Sequence, residues 1–146
     1  MFSLATLRTR IRKVVVEGHV MFLRHVWGMN IGQGSRISLG ARLDRTNPKG
    51  IHIGLNTGIG TGAVVLTHDF VKTQHVDTHI GSNCHIGINA IILPGISVGD
   101  NCIVAPASVV MKDVPAGSLI AGNPARVIET GLILGPWGIR DWDGRK

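Results

Sequence analysis

Aliphatic residues recur at every sixth position over most of this chain, in three uninterrupted runs. Neither an α-helix, with 3.6 residues per turn, nor an alternating strand has this period. A period of six is typical of very short strands joined by tight turns, with three strands to a triangular coil and the aliphatic side chains inside it. The twelve positions are Ile31, Ile37, Leu43, Ile53, Ile59, Val65, Ile80, Ile86, Ile92, Val98, Val104 and Val110.

Small residues flank the aliphatic positions. Gly follows six of them, at positions 32, 54, 60, 81, 87 and 99, and Ser, Ala, Thr or Cys often stands two places before. Because Gly supplies the backbone angles that tight turns need, the pattern predicts a β-helix whose coils stack about 4.8 Å apart. Cys84 and Cys102 would then stack inside it as small core side chains. The predicted coils cover residues 31–48, 53–70, 80–97 and 98–115.

Two insertions interrupt the repeat, and the surface loops of a solenoid often carry its function. The first lies between Leu43 and Ile53 and contains the turn signal Asn-Pro-Lys-Gly at 47–50. The second lies between Val65 and Ile80 and holds three of the seven His residues. We therefore expect the functional residues to lie in these two loops.

The sequence after the last repeat carries a specific resemblance. Residues 111–131 read MKDVPAGSLIAGNPARVIETG, which resembles the exit sequence of the hexapeptide-repeat acyltransferases, the left-handed parallel β-helix family. The segments LDRTNPKGIHIG and VVLTHDF are similar to its bacterial exopolysaccharide and lipopolysaccharide sugar O-acetyltransferases. The resemblance covers about residues 28–130. It implies an all-β, left-handed β-helix of about four coils, acetyl-CoA as acyl donor, and a homotrimer.

The resemblance assigns general-base catalysis to His68, in the motif Thr-His-Asp at a cleft between subunits. A sugar hydroxyl is a weak acid, so it needs a base when it attacks a thioester, and a neutral imidazole suits that role. Asp69 is the expected partner that orients the ring, with Asp44 and Asp77 as competitors. His85 and Asp44 are expected to line the acceptor pocket.

For the coenzyme, the resemblance implies that the pantetheine arm lies between two subunits along the backbone of Gly87, Pro106 and Ala107. Lys112 and Arg126 are cations in a nearly uncharged stretch and are expected nearer the phosphates. The alternative is that both are solvated surface charges. Neither the GxGxxG nor the GxxxxGK[ST] nucleotide-binding pattern occurs in the sequence.

The two ends fall outside the repeat. Residues 1–27 carry apolar residues at helical spacing with five cations and one acid, a net charge of +4. This predicts an amphipathic helix that caps the first coil, contacts an anionic membrane, or does both. The β-helix is expected over residues 28–115, and a turn and tail over 116–146 complete the coenzyme site.

Most of the basic charge lies in the N-terminal segment. Residues 28–146 carry ten cations and eight acids, so the pI of about 10.2 does not describe the body of the protein. Since basic patches interleaved with aromatic residues are missing from the coils, we expect no nucleic-acid partner. Apolar runs are too short to span a membrane, and the start lacks a signal-peptide core, which predicts a cytoplasmic protein, peripheral to the membrane if residues 1–27 bind it.

Three functions stay open at this point. The first is acetyl-CoA-dependent O-acetyl transfer to a carbohydrate hydroxyl. A second is a trimeric metal hydratase on the same β-helix, which needs convergent His ligands such as His68, His75, His79 and His85. A third is a non-catalytic, membrane-associated scaffold. The exit sequence favours the transferase, for which we expect no metal ion.

Overall fold

The computed structural model describes residues 3–143, so the ends of the predicted segments 1–27 and 116–146 lie outside the described residues. Within that range one α-helix, α1 (Leu4–His25), precedes a series of short strands, and 3-10 turns cover Pro48–Gly50 and Pro136–Gly138. The strands are β1 Asn30–Ile31, β2 Arg36–Ile37, β3 Arg42–Leu43, β4 Ile51–Ile53, β5 Gly58–Ile59, β6 Val64–Val65, β7 His68–Asp69, β8 Gln74–His75, β9 Thr78–Ile80, β10 His85–Ile86, β11 Ile91–Ile92, β12 Ser97–Val98, β13 Ile103–Val104, β14 Val109–Val110, β15 Leu119–Gly122 and β16 Ala125–Glu129.

The chain visits three parallel sheets in turn, which makes a parallel β-helix of triangular section. Sheet A contains β1, β4, β9 and β12; sheet B contains β2, β5, β10, β13 and β15; and sheet C contains β3, β6, β11 and β14. The strand β16 adds to the edge of sheet B in an antiparallel direction, after β15. Successive coils are joined by backbone hydrogen bonds at every side of the triangle.

The predicted aliphatic ladder is confirmed as the core. All twelve of its residues are buried, and so are Cys84 and Cys102, which are free thiols. The parallel coils continue beyond residue 115, where the β-helix was expected to end. Ile120 in β15 pairs beside Val104 in β13 and is also buried. The exit sequence therefore forms part of the β-helix.

The six glycines that follow ladder residues serve a different purpose from the predicted one. None of them has a positive φ. A Cβ on Gly32 would lie 2.4 Å from the backbone of Gly54, and one on Gly87 would lie 2.6 Å from the nitrogen of Pro106. These positions need Gly because the next coil passes too close for a side chain. The left-handed turn positions at the corner between sheets A and B are Gly34, Asn56, Asn83, Asn101 and Gly117.

The C-terminal half of α1 caps the open end of the first coil. This is the first of the two roles predicted for residues 1–27. Val20 and Leu23 are the helix residues that are buried. The Arg24 guanidinium donates hydrogen bonds to the carbonyls of Ile31 and Gly32, both at 2.8 Å. Edge carbonyls that would otherwise offer a strand-pairing surface are thereby satisfied.

The tail folds back along the body of the same chain. Leu134 is buried, and its N–H donates to the side chain of Asn101. Further on, the Trp137 indole N–H donates to the carbonyl of Gly34 at 2.8 Å, and the Arg36 guanidinium lies 3.5 Å from the ring centroid. The tail thus connects the last coil to the first.

Removing one methylene from the centre of the ladder tests the packing. Ile86 is fully buried, so Ile86→Val is expected to lower the free energy of unfolding by about 0.5–1.5 kcal/mol. Ile133 is 89% exposed in the tail, so Ile133→Val should change it by less than about 0.5 kcal/mol. Urea denaturation followed by circular dichroism measures both. Equal losses in the two variants would contradict the packing described here.

Candidate functional site

Both insertions leave the β-helix at the same corner, between sheet C and sheet A, on adjacent coils. The first follows β3 and begins at Asp44; the second follows β6 and contains His68. In the second, β7 and β8 form an antiparallel hairpin in which His68 pairs with His75. The stacking of the coils therefore brings Asp44 and His68 together, although 24 positions separate them in the sequence.

Asp44 is a buried carboxylate with a full set of donors. Its side chain is 3% exposed, and it accepts hydrogen bonds from the backbone N–H groups of Thr46, Thr67 and His68 at 2.9–3.1 Å. Burial alone would raise the pKa of this carboxyl. The hydrogen bonds from Thr67, the His68 ring and Thr46 outweigh burial and hold the pKa below its ordinary value. Asp44 is therefore an anion at neutral pH.

The His68 ring is oriented by this anion. Its Nδ1 lies 2.5 Å from Oδ2 of Asp44, and the side chain is 30% exposed. Because a carboxylate can only accept, Nδ1 carries the proton, and in the neutral form of the ring Nε2 is the acceptor nitrogen. Two further bonds join the loops: the Thr67 hydroxyl donates to the carbonyl of Asn47 at 2.6 Å, and the Asn47 amide donates to the carbonyl of Thr67 at 3.0 Å.

The structure corrects the expected roles of the acidic residues. Asp69 points its carboxylate at Lys72, accepting from the backbone N–H at 3.0 Å, because the two residues close the hairpin turn. Oδ2 of Asp77 lies 2.9 Å from Nε2 of His52, which is hydrogen-bonding distance. The carboxylate that contacts His68 is that of Asp44. Since its side chain is buried and bound to Thr46, Thr67 and His68, Asp44 is placed to orient the ring, and its role in the acceptor pocket stays a prediction.

His85 lies elsewhere in the single chain. It belongs to β10 in sheet B, whereas His68 follows sheet C. The tail passes over it, since a Cβ on Gly138 would lie 2.5 Å from the Cβ of His85. Within one chain, His85 and His68 therefore do not share a pocket, and a role for His85 with the acceptor stays a prediction.

The residues expected to contact the coenzyme lie at two separate corners. Gly87 and the pair Pro106 and Ala107 stack on adjacent coils at the corner between sheets B and C. Lys112 follows β14 at the corner between sheets C and A, as His68 does two coils away, and Arg126 lies in β16. Lys112 and Arg126 are exposed. The width of sheet C separates the Gly87 corner from His68 in one chain.

A group of possible metal ligands lies on the outer face of sheet A. Within residues 3–143 the cluster with three candidate ligands is His52, Asp77 and His79, whose donor atoms lie within 4.8 Å of one another. The two imidazoles stack at 4.4 Å with an angle of 6° between their planes. A metal ion lies close to the plane of each imidazole that binds it, so parallel stacked rings cannot share one ion unless a ring turns. This geometry does not favour a metal ion shared by His52 and His79.

Comparison with known proteins identifies the family to which this fold belongs. The family model described as bacterial transferase hexapeptide (six repeats) matches residues 77–112. A protein of Staphylococcus aureus (strain MRSA252), named as an acetyltransferase, is 40% identical over 116 residues, which cover 78% of this chain and 71% of that protein. The chain belongs to the hexapeptide-repeat transferase family. This confirms the resemblance that the exit sequence carried.

Two solved acetyltransferases have a similar fold. A maltose O-acetyltransferase from Clostridium difficile 630 is 26% identical with a TM-score of 0.62, covering 78% of this chain and 75% of that one. A serine acetyltransferase in complex with CoA is 27% identical with a TM-score of 0.56, covering 68% and 39%. The chain spans 60% and 15% of the lengths of two further curated relatives, so what those whole proteins do does not transfer with the fold.

Proposed function

We propose that this chain transfers an acetyl group from acetyl-CoA to a hydroxyl of a carbohydrate, with His68 as general base. The observation that carries the proposal is the contact between Nδ1 of His68 and the buried anion of Asp44, at 2.5 Å. It fixes the ring and leaves Nε2 available to accept a proton from a hydroxyl. Membership of a transferase family whose named relatives are acetyltransferases supports the reaction class.

In the proposed reaction the acceptor hydroxyl donates a hydrogen bond to Nε2 of His68. As the hydroxyl oxygen attacks the thioester carbonyl, its proton moves to Nε2, and the imidazolium that forms is stabilised by the Asp44 anion. When the tetrahedral intermediate collapses, the carbon–sulfur bond breaks and the thiolate takes the proton from Nε2. The products are an acetyl ester and free CoA. No covalent acyl-enzyme is required.

The coenzyme contacts belong to the same proposal. Gly87, Pro106 and Ala107 offer a corner of the β-helix along which the pantetheine arm can lie, and Lys112 and Arg126 are exposed cations suited to phosphates. The CoA complex of a serine acetyltransferase with this fold supports acetyl-CoA as the donor. The left hand of the β-helix is proposed together with it, from the resemblance of the hexads, whereas the cytoplasmic location stays the prediction made from the short apolar runs.

A homotrimer completes the proposed site. The Gly87 corner and His68 lie at opposite edges of sheet C, so the base of one subunit meets the coenzyme corner of its neighbour when sheets face each other. The turn of the hairpin that carries His68 contains Phe70 and Val71, which are 86% and 91% exposed. An apolar tip of this kind suits burial against another subunit. Light scattering on the purified protein measures the assembly.

The acceptor class is tested by thiol release from acetyl-CoA. The assay compares sugars and oligosaccharides with serine and with an amino sugar as acceptors, at equal concentrations. We expect a neutral sugar hydroxyl to stimulate thiol release, because a neutral imidazole serves best for a hydroxyl that must lose its proton. Stimulation by serine alone, or by the amine of the amino sugar alone, would contradict a carbohydrate O-acetyltransferase.

A further inference from the structure

The N-terminal half of α1 is exposed along its whole length. Every residue from Ser3 to Val15 is exposed, whereas Val20 and Leu23 near the other end are buried against the first coil. The side chain of Ser3 accepts a hydrogen bond from the N–H of Thr6 and so caps the helix start. The segment is therefore a well-formed helix with an exposed surface.

That exposed surface is amphipathic. With 100° between successive residues, its large apolar side chains fall on one stripe, which points away from the face that carries Val20 and Leu23. Their exposure is high, from 45% for Phe22 to 86% for Leu4. Monomeric proteins rarely leave such a contiguous apolar surface without a use. The stripe consists of Leu4, Leu7, Ile11, Val14, Val15, Met21 and Phe22.

Positive charge accompanies the stripe. Arg8 and Arg12 follow one edge of it, and the segment 1–27 holds five cations against the single acid Glu17. The same edge leads to a groove of about 460 Å³ between α1 and the first coil, lined by His19, Arg42 and Arg45 among others. Burial, and then the nearby Arg45, lower the pKa of His19, as expected where cations gather.

We propose that α1 attaches this protein to an anionic lipid surface, with the apolar stripe in the acyl boundary and the flanking arginines on lipid phosphates. Charge complementarity selects this occupant. When the helix lies in the surface of an anionic bilayer, its apolar stripe meets the acyl chains and its flanking arginines meet the negatively charged phosphates. In the described residues no helix is both long and apolar enough to cross a membrane. The attachment is parallel to the surface, and it stands apart from the proposed acetyl transfer.

Sedimentation of the full chain with vesicles tests the proposal. We expect binding to vesicles of phosphatidylcholine mixed with phosphatidylglycerol, weak binding to phosphatidylcholine alone, and release by salt. Ile11→Glu is expected to weaken the binding by about tenfold or more, since it replaces an aliphatic side chain in the stripe by a charge. The double variant Arg8→Gln, Arg12→Gln should lose the preference for the anionic vesicles.

Matched controls separate the outcomes. Ile133 is 89% exposed in the tail, so Ile133→Glu should bind vesicles like the wild type. Circular dichroism and acetyl transfer to a soluble acceptor without vesicles should be unchanged in Ile11→Glu. Absence of vesicle binding, equal binding to neutral vesicles, or an equal loss in Ile133→Glu would overturn the proposal. So would a wild type that fails to bind while Ile11→Glu changes the oligomeric state, which would make the stripe a contact with a second copy.

Discussion

His68→Ala is expected to lower the rate of acetyl transfer by about 10²- to 10⁴-fold, the usual contribution of a positioned general base. The substitution removes the nitrogen that accepts the hydroxyl proton and leaves the acceptor to attack unaided. Folding should survive, because the His68 side chain is 30% exposed and lies outside the aliphatic ladder. Thiol release at saturating acetyl-CoA and acceptor measures the rate, and circular dichroism measures the fold.

The hairpin offers a matched control. His75 pairs with His68 across the two strands and is exposed. His75→Ala changes the same residue type on the same hairpin, yet removes no atom from the Asp44 contact. We expect its activity to stay within about twofold of the wild type. Full activity in His68→Ala, or an equal loss in His75→Ala, would contradict the assignment of the base.

Asp44→Asn is expected to lower the rate by about 10²-fold, with a loss no greater than that of His68→Ala, because Asp44 acts through the ring. The amide is nearly the same size as the carboxylate, but it removes the negative charge that stabilises the imidazolium. Its one amide oxygen is needed at the Oδ2 position, where three N–H donors converge, so its NH2 group faces the backbone N–H of Thr46 and that hydrogen bond is lost. The steady-state loss should appear in kcat.

Asp69→Asn is the control for that variant. Its carboxylate contacts Lys72, so activity should stay within about twofold of the wild type. The reverse order of losses, with Asp69→Asn the more damaged, would contradict the orientation of His68 described here. The pair of variants therefore decides which aspartate serves the imidazole.

Stability against pH gives a second readout for Asp44. The pKa of this carboxyl is lower in the folded chain than its ordinary value of 3.8. A carboxyl whose pKa is lowered by folding stabilises the folded chain. This contribution is fully present at pH values above the ordinary pKa and is lost as pH falls through the pKa of the folded chain. We expect the free energy of unfolding to fall at acid pH in the wild type, and less steeply in Asp44→Asn. Urea denaturation between neutral pH and pH 3 measures the slope.

The sequence was most informative where one physical requirement repeats. A side chain inside a triangular coil must be apolar and must fit beside its neighbours above and below, so Ile86 and Val104 could be assigned to the core from period alone. The step from Val104 to Ile120 is sixteen positions rather than eighteen, so the continuation of the β-helix into β15 was missed. The glycines after the ladder residues were located, but their reason is the close approach of coils.

The site was harder to predict because it depends on the register between coils. His68 came from its motif, whereas its carboxylate partner was left open among Asp69, Asp44 and Asp77, with Asp69 as the first candidate. Counting the two insertions from their ladder residues, Leu43 and Val65, would have shown that both leave at one corner on neighbouring coils. That register predicts Asp44 beside the His68 loop. The hydrogen bonds between Asn47 and Thr67 depend on side-chain directions, which no pattern in the sequence predicts.

The proposed reaction leaves an acetyl ester on the acceptor hydroxyl, and its formation depends on His68 as the base. Mass spectrometry of the acceptor after incubation with acetyl-CoA tests it most directly, with wild type and His68→Ala run side by side at equal concentration. We expect the wild type to form one base-labile acetyl ester for each CoA released, and folded His68→Ala to form almost none. Release of CoA without an acetylated acceptor, or equal ester formation by the two proteins, would contradict it.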